Sequence, residues 1–363
     1  MVNEKKLVFE AISINGNVGY VSDYNQNSLF KVDINTGECQ FLRFFEDEPM
    51  KIKRLHCSAL QIDNKIYFIP GSGNKISVFY PENNIIDSIE IPVPKTGQYS
   101  FYKVQYKFVS AVKYRNSLWL VPATYPGVIK LNLCTNEIEV FNNWIENDEY
   151  MFRMGLCVEE DRFLIANGKS NAVLVFDMKN ELGKIVYIGD KNFGNMGMVK
   201  IENEYWFAPR LPGAIISWNP KSRVVKEYDT YPKEFVGGNI VFSRIYAYGD
   251  KIVFPPAQAN VGLIYTNGKI EIDKDVVWKI NSQSNVEYLF ESEEYMFFRE
   301  ITKGQSDRCM KISKSDNSLS EYSFFFLDDK IREKNMLKLS LLKKEMILEN
   351  ENIKLNDYIN EII

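Results

Sequence analysis

One short phrase returns seven times along this 363-residue chain: an apolar and aromatic strand, a polar loop, a second apolar strand ending in Asp or Asn, then a turn and a third strand. Its centres fall at Tyr20, Tyr67, Trp119, Leu164, Trp206, Val253 and Met296, at intervals of 47, 52, 45, 42, 47 and 43 residues. Self-similarity at roughly 40–50 residues with several short strands per unit is the pattern of sheets arranged radially around a channel. A single unit cannot bury its faces alone, so each must pack against its neighbours. The expected fold is therefore all-β, a seven-bladed β-propeller of four-stranded antiparallel blades over residues 1–327. Residues 328–363 stand apart as a C-terminal α-helical tail.

The second unit shows the expected blade most clearly. Ser58–Ile62 reads as the inner strand, followed outward by Lys65–Ile69, Lys75–Phe79 and Ile85–Ile89. Short β-branched and aromatic runs divided by Asp-Asn, Gly-Ser-Gly-Asn and Pro-Glu-Asn-Asn turns carry strand and hairpin signals. The third strand closes on Asp33, Asn132, Asp177 or Asn219 in four units. A short side-chain oxygen there can accept a bond from the backbone two residues on and start a tight turn. These residues are expected to punctuate turns rather than to bind metal.

Net charge and cysteine pattern narrow the partners. A formal charge of −4 and a pI near 5.5 provide no bulk attraction to nucleic acid or anionic lipid, so neither nucleic acid nor membrane is an expected partner. The start of the chain has no apolar run of signal-peptide length, and no stretch reaches the eighteen or so apolar residues of a spanning helix; a cytoplasmic location is expected. Cys39, Cys57, Cys134, Cys157 and Cys309 are odd in number and never at metal-ligand spacing, which fits reduced packing residues. Neither a metal nor a cofactor is expected. Gly168-Lys-Ser170 lacks the upstream glycine of a phosphate loop, since Phe163 stands there, and Gly71-Ser-Gly73 has no helix behind it.

At the level of blade pattern the chain resembles the seven-bladed propellers of the streptogramin lyase-like and NHL type. Tyr205-Trp-Phe-Ala-Pro209 stands where those families carry a Trp-Phe strand, and Glu227-Tyr228 where they carry a Glu-Phe or Glu-Tyr outer strand. The likeness runs over residues 10–326. Lyase chemistry is not expected to come with it, because His56 is the one histidine of the chain and cannot supply two imidazoles. The glycine pairs of kelch repeats, the Trp-Asp of WD repeats and the Asp-box of sialidases are absent.

Alignment of the units predicts the ligand-facing end. One residue per unit starts the loop between the second and third strands: Asp23, Pro70, Pro122, Asn167, Pro209, Pro256 and Arg299. An ion pair between Asp23 and Arg299 across the seam of first and last units is geometrically sensible. A second column, eleven residues before each centre, should begin the inner strand and reads His56, Phe108, Arg153, Asn195, Phe242 and Asn285. Near it sit Arg54, Lys107, Arg210 and Arg244 with the loop aromatics Tyr24, Tyr102, Tyr106 and Tyr125. Arginine forks beside aromatic faces suit carboxylates, phosphates and sugar rings. The expected site therefore comprises Asp23, Arg54, His56, Lys107, Arg153, Arg210 and Arg299, binding a small anionic or glycosylated ligand or an acidic peptide. The alternative is a carbohydrate-active enzyme using channel acids such as Asp23 or Glu287, with Arg153 and Arg299 as anion clamps.

From Asp328 to Ile363 there is no glycine or proline, and Leu339, Leu342, Met346, Ile353 and Ile359 lie near helical spacing. One or two helices are expected, available for packing on the propeller, for self-association or for docking a protein partner.

Overall fold

The computed structural model describes residues 4–6, 9–24, 27–49, 52–95, 98–145, 150–152, 155–191, 194–276, 278, 284–292, 294–302 and 308–327. The tail helices expected in residues 328–363 lie outside the described residues, as does Arg153.

Seven four-stranded antiparallel meanders, each in sequential strand order, follow one another along the chain. Their inner strands are Phe9–Asn15, His56–Ile62, Phe108–Tyr114, Cys157–Glu159, Asn195–Ile201, Tyr246–Tyr248 and Ser284–Glu291. All seven repeat centres lie in the second strands, from Val18–Asp23 in blade 1 to Tyr295–Thr302 in blade 7. Second strands are almost wholly buried, whereas outer strands such as Ile85–Glu90 alternate exposed and half-buried residues, as befits a sheet edge facing water.

The blades hold one another through the faces a lone sheet would leave wet. Among the described residues the buried apolar side chains form seven clusters, each drawn chiefly from two adjacent blades. One cluster joins Ile12, Val21 and Phe30 of blade 1 to Phe290, Phe297 and Tyr322 of blade 7, so the ring is closed. Aromatics act as the wedges: Trp119 lies 5.3 Å from Phe176 of the next blade, and Trp206 lies 4.2 Å from Tyr265.

The turn residues act as expected. Asp33 Oδ1 accepts the N–H groups of Asn35 and Thr36, and Asn132, Asp177 and Asn219 repeat the arrangement. Each turn then passes through a left-handed residue, at Gly37, Asn136, Glu181 and Arg223 respectively.

Closure at the seam has a part that the repeat pattern left undecided. The seventh blade owns its outer strand, Leu319–Tyr322. Glu4–Lys6 instead pairs with Phe325–Leu327, a strand beyond the last blade, in a separate two-stranded sheet. Phe325 donates its N–H to Gly37 O, and Tyr322 donates its hydroxyl to Ile34 O at 2.7 Å, so the segment that ends blade 7 clasps blade 1.

Candidate functional site

Strand register fixes the mouth of the channel. The loop-start column pairs in every blade with a residue of the inner strand or of the segment just before it: Phe9 with Asp23, His56 with Pro70, Phe108 with Pro122, Phe152 with Asn167, Asn195 with Pro209, Phe242 with Pro256, and Glu287 with Arg299. Of the expected second column, His56, Phe108, Asn195 and Phe242 stand at these positions, Asn285 is the second residue of the inner strand of blade 7, and Arg153 lies outside the described residues. The paired members are fourteen residues apart in five blades, fifteen in blade 4 and twelve in blade 7.

Just below this level the inner strands of blades 1, 2, 3 and 5 carry a register shift, and blade 7 carries one between Tyr288 and Phe290. A bulge breaks the strict in-out alternation of side chains, so neighbouring residues face the same way. Runs of consecutive residues consequently border the lumen: Cys57 to Ala59, Val109 and Ser110, and Tyr288 to Glu291. With Ile12, Arg54, Gly155, Leu156 and Arg244 they enclose a cavity of about 290 Å³, to which six blades contribute. Its charged lining is two arginines and one glutamate, Arg54, Arg244 and Glu291.

Arg54 is positioned by backbone. It has a left-handed φ of 58°, donates its N–H to Tyr24 O at 2.7 Å and accepts from Ser72 N at 2.8 Å. Gly71 permits this, because a Cβ there would stand 2.6 Å from Arg54 O. The guanidinium lies over the Tyr106 ring, 4.7 Å from its centroid. A non-glycine residue held left-handed costs conformational energy and persists only where its surroundings demand it.

Arg244 comes from the segment before the sixth inner strand. Its Nη2 donates to Glu291 Oε1 at 2.7 Å, and its guanidinium lies 4.3 Å from the Tyr288 ring centroid. Lys314 Nζ lies 3.1 Å from Glu291 Oε2. Burial pushes the Glu291 carboxyl upward, but Arg244 and Lys314 outweigh it and hold the group below the usual carboxylate range. Burial raises the Tyr288 phenol, which stays neutral.

Other expected site residues are structural. Lys107 is fully buried, and its ammonium donates to Ser72 O at 2.7 Å, Gly73 O at 2.8 Å and Val104 O at 3.2 Å. Those bonds use all three donors of a lysine, so it joins blades 2 and 3 instead of meeting a ligand. His56 is buried with Nδ1 2.9 Å from Ser22 Oγ and Nε2 3.2 Å from Ser77 Oγ, tying blade 2 to blade 1. Burial lowers its pKa to about 3, leaving it neutral and saturated. Arg299 is buried, pairs with Glu287 at 2.6 Å within blade 7 and lies 5.6 Å from the Tyr24 ring centroid across the seam. Asp23 is buried at the end of the second strand of blade 1. Arg210 is half-buried where blades 5 and 6 meet, accepting from Val241 N, and stands outside the cavity lining. Among the described members of the expected set, Arg54 is the one that lines the cavity.

Glu291 was not foreseen. The signal that could have found it is its place four residues beyond Glu287 on the same inner strand. Tyr125, grouped with the mouth aromatics, is buried against Phe108 and donates to Pro92 O. All five cysteines are free; Cys39 and Cys57 are buried, whereas Cys134 is exposed on a turn and does not pack. Among the described residues no group of three His, Cys, Asp or Glu side chains is placed to hold a metal ion.

These features define a seven-bladed β-propeller with a narrow, net-positive central cavity. No family model matches the chain, and neither does any curated protein. Solved structures do match. Virginiamycin B lyase from Staphylococcus aureus shares 14% identity over 82% of this chain and 95% of its own, at a TM-score of 0.56. YCF48, solved with the D1 peptide, shares 12% over 83% and 93%, at 0.57. The extracellular domain of Bacteroides thetaiotaomicron BT4673 shares 13% over 88% of this chain and 39% of its own, at 0.54. At these identities the likeness is one of fold: a β-propeller like those of the streptogramin B lyases. Among the described residues no helix is long and apolar enough to cross a membrane.

Proposed function

We propose that this propeller is a ligand-binding platform whose central cavity takes a small anion. One observation carries the reading: among the described residues the charged groups lining the cavity are Arg54, Arg244 and Glu291, an excess of one positive charge in a space of about 290 Å³. That volume is near the lower end of small-molecule sites, at roughly 300 Å³. The Ser58 and Ser110 hydroxyls supply neutral partners for a carboxylate, phosphate or sugar acid. An acidic peptide presents the same chemistry at the mouth, and YCF48 is a propeller of this fold solved with a peptide.

The enzyme reading has less support. A catalytically inactive virginiamycin B lyase, solved with quinupristin, carries alanine in place of a histidine. The one histidine here is buried and spent on two serines. Carboxylate-pair hydrolysis needs two acids on one face, and Glu291 is the one carboxylate among the described lining residues. Five unpaired cysteines fit a reducing compartment, so we place the protein in the cytoplasm. Residues 328–363 are proposed as a self-association or docking element.

Calorimetric titration of acetate, benzoate, citrate and inorganic phosphate into the full chain tests the site. The expected result is saturable binding that Arg54→Ala weakens by about 1.5–3 kcal/mol, the worth of a hydrogen bond to a charged group. Binding that is indifferent to Arg54→Ala, or no binding by any of the four, contradicts the proposal.

A further inference from the structure

Three charges meet at the inner end of the cavity in an arrangement that is incomplete as an ion-pair network. Arg244 makes one hydrogen bond to Glu291, through Nη2, and no other among the described residues. A guanidinium has five N–H donors in a fixed fork, and a carboxylate usually takes two of them. Glu291 is divided between two cations, with Oε1 on Arg244 and Oε2 facing Lys314 at 3.1 Å. The trio therefore carries one uncompensated positive charge. The cavity lining also includes the apolar side chains of Ile12, Leu156, Leu289 and Phe290, and the face of Tyr288 lies under the guanidinium.

We propose, resting on the reading of the cavity as an anion site, that its ligand is a monocarboxylate with an apolar body, and that Glu291 is an internal stand-in which the ligand displaces from Arg244. The exchange keeps every charge paired. Before binding, Glu291 serves Arg244 and Lys314 together; afterwards the ligand carboxylate takes the Arg244 fork and Glu291 stays with Lys314. The net charge of the group falls from one positive to zero. A dianion would bring a second charge that this trio does not balance among Leu156, Leu289 and Phe290, where its desolvation is uncompensated unless it also reaches Arg54. Glu291 thus sets selectivity by competition and Lys314 sets how readily it yields.

The test uses benzoate as the monocarboxylate probe, with inorganic phosphate and citrate beside it, titrated into the full chain and three variants. Wild-type protein should prefer benzoate. Glu291→Gln removes the competitor and should tighten benzoate binding by about tenfold, while Lys314→Met leaves Glu291 wholly to Arg244 and should weaken it by about tenfold. Arg244→Ala should abolish it. Opposite shifts from two side chains that touch each other are not produced by a merely structural role, which would move both the same way. Benzoate binding that depends on Arg54 but is unchanged in both Glu291→Gln and Lys314→Met leaves the anion site standing and overturns the exchange. Absence of binding by any anion overturns both.

Discussion

Between pH 8 and pH 5.5 one side chain should give the stability of this protein a separable pH dependence. His56 is 3% exposed, its ring nitrogens are spent on Ser22 and Ser77, and the rings of Phe45 and Phe68 lie 4.5 and 5.3 Å from its centroid. Burial lowers its pKa to about 3. In the unfolded chain a histidine titrates near 6.5. As pH falls below that value the unfolded state takes up a proton that the folded state refuses until about pH 3, so stability is lost on acidification through the window. Integrated from pH 8 to pH 5.5 the loss is about 1.4 kcal/mol. The chain contains no second histidine to blur the effect. The carboxyls of Glu159 and Glu291, which their cationic neighbours hold low, lose their contribution only as pH falls below the usual carboxylate range. Glu48 and Asp273, raised by burial, act in the opposite direction. All four remain in a His56→Gln variant, so the difference between variant and wild type isolates the imidazole. Urea unfolding of both proteins at pH 8, 7, 6 and 5.5 measures it: the wild-type free energy should fall by about 1.4 kcal/mol more than that of His56→Gln. Parallel pH profiles would show that His56 is not held neutral inside the fold, and would refute the reasoning.

Two further outcomes test the framework. Lys107→Met keeps the buried stem but leaves the carbonyls of Ser72, Gly73 and Val104 without their shared donor, and should cost about 2–4 kcal/mol in denaturant unfolding; a change under roughly 0.5 kcal/mol would mean the ammonium does not tie the blades. At the seam, Gly37 has a φ of +80° and an added Cβ would stand 2.1 Å from Ser323 O, so Gly37→Ala should destabilise the ring strongly. Tyr322→Phe, which removes only the bond to Ile34 O, should cost about 1 kcal/mol in the same assay. Wild-type stability in both seam variants would remove closure from this contact.

Repetition made the architecture legible. Tyr20, Tyr67, Trp119 and their counterparts all fall in second strands because one wedge-filling position recurs in every blade, and Asp33, Asn132, Asp177 and Asn219 mark turns by a purely local hydrogen bond. The loop-start column was readable for the same reason, its spacing from the centres being set within one hairpin. The inner-strand column was readable at His56, Phe108, Asn195 and Phe242, but the residue facing the loop start is Phe152 in blade 4 and Glu287 in blade 7, where the connecting hairpin is one residue longer or two shorter than in the other blades. Side-chain direction was harder. Lys107 and Arg54 both precede an inner strand, yet one turns into the joint of blades 2 and 3 and the other faces the lumen, a difference made by Gly71 and the left-handed turn at Arg54. Glu291 escaped notice because its partners Arg244 and Lys314 come from blade 6 and from the far side of blade 7, and no spacing in the chain records that meeting.

Crystals of the full chain grown with benzoate would test the anion site most directly. The account predicts a carboxylate in the central cavity within hydrogen-bond distance of Arg54 or Arg244, and its loss when both are changed to alanine. An empty channel at saturating benzoate, or a ligand seated only on the outer surface of the blades, would contradict it.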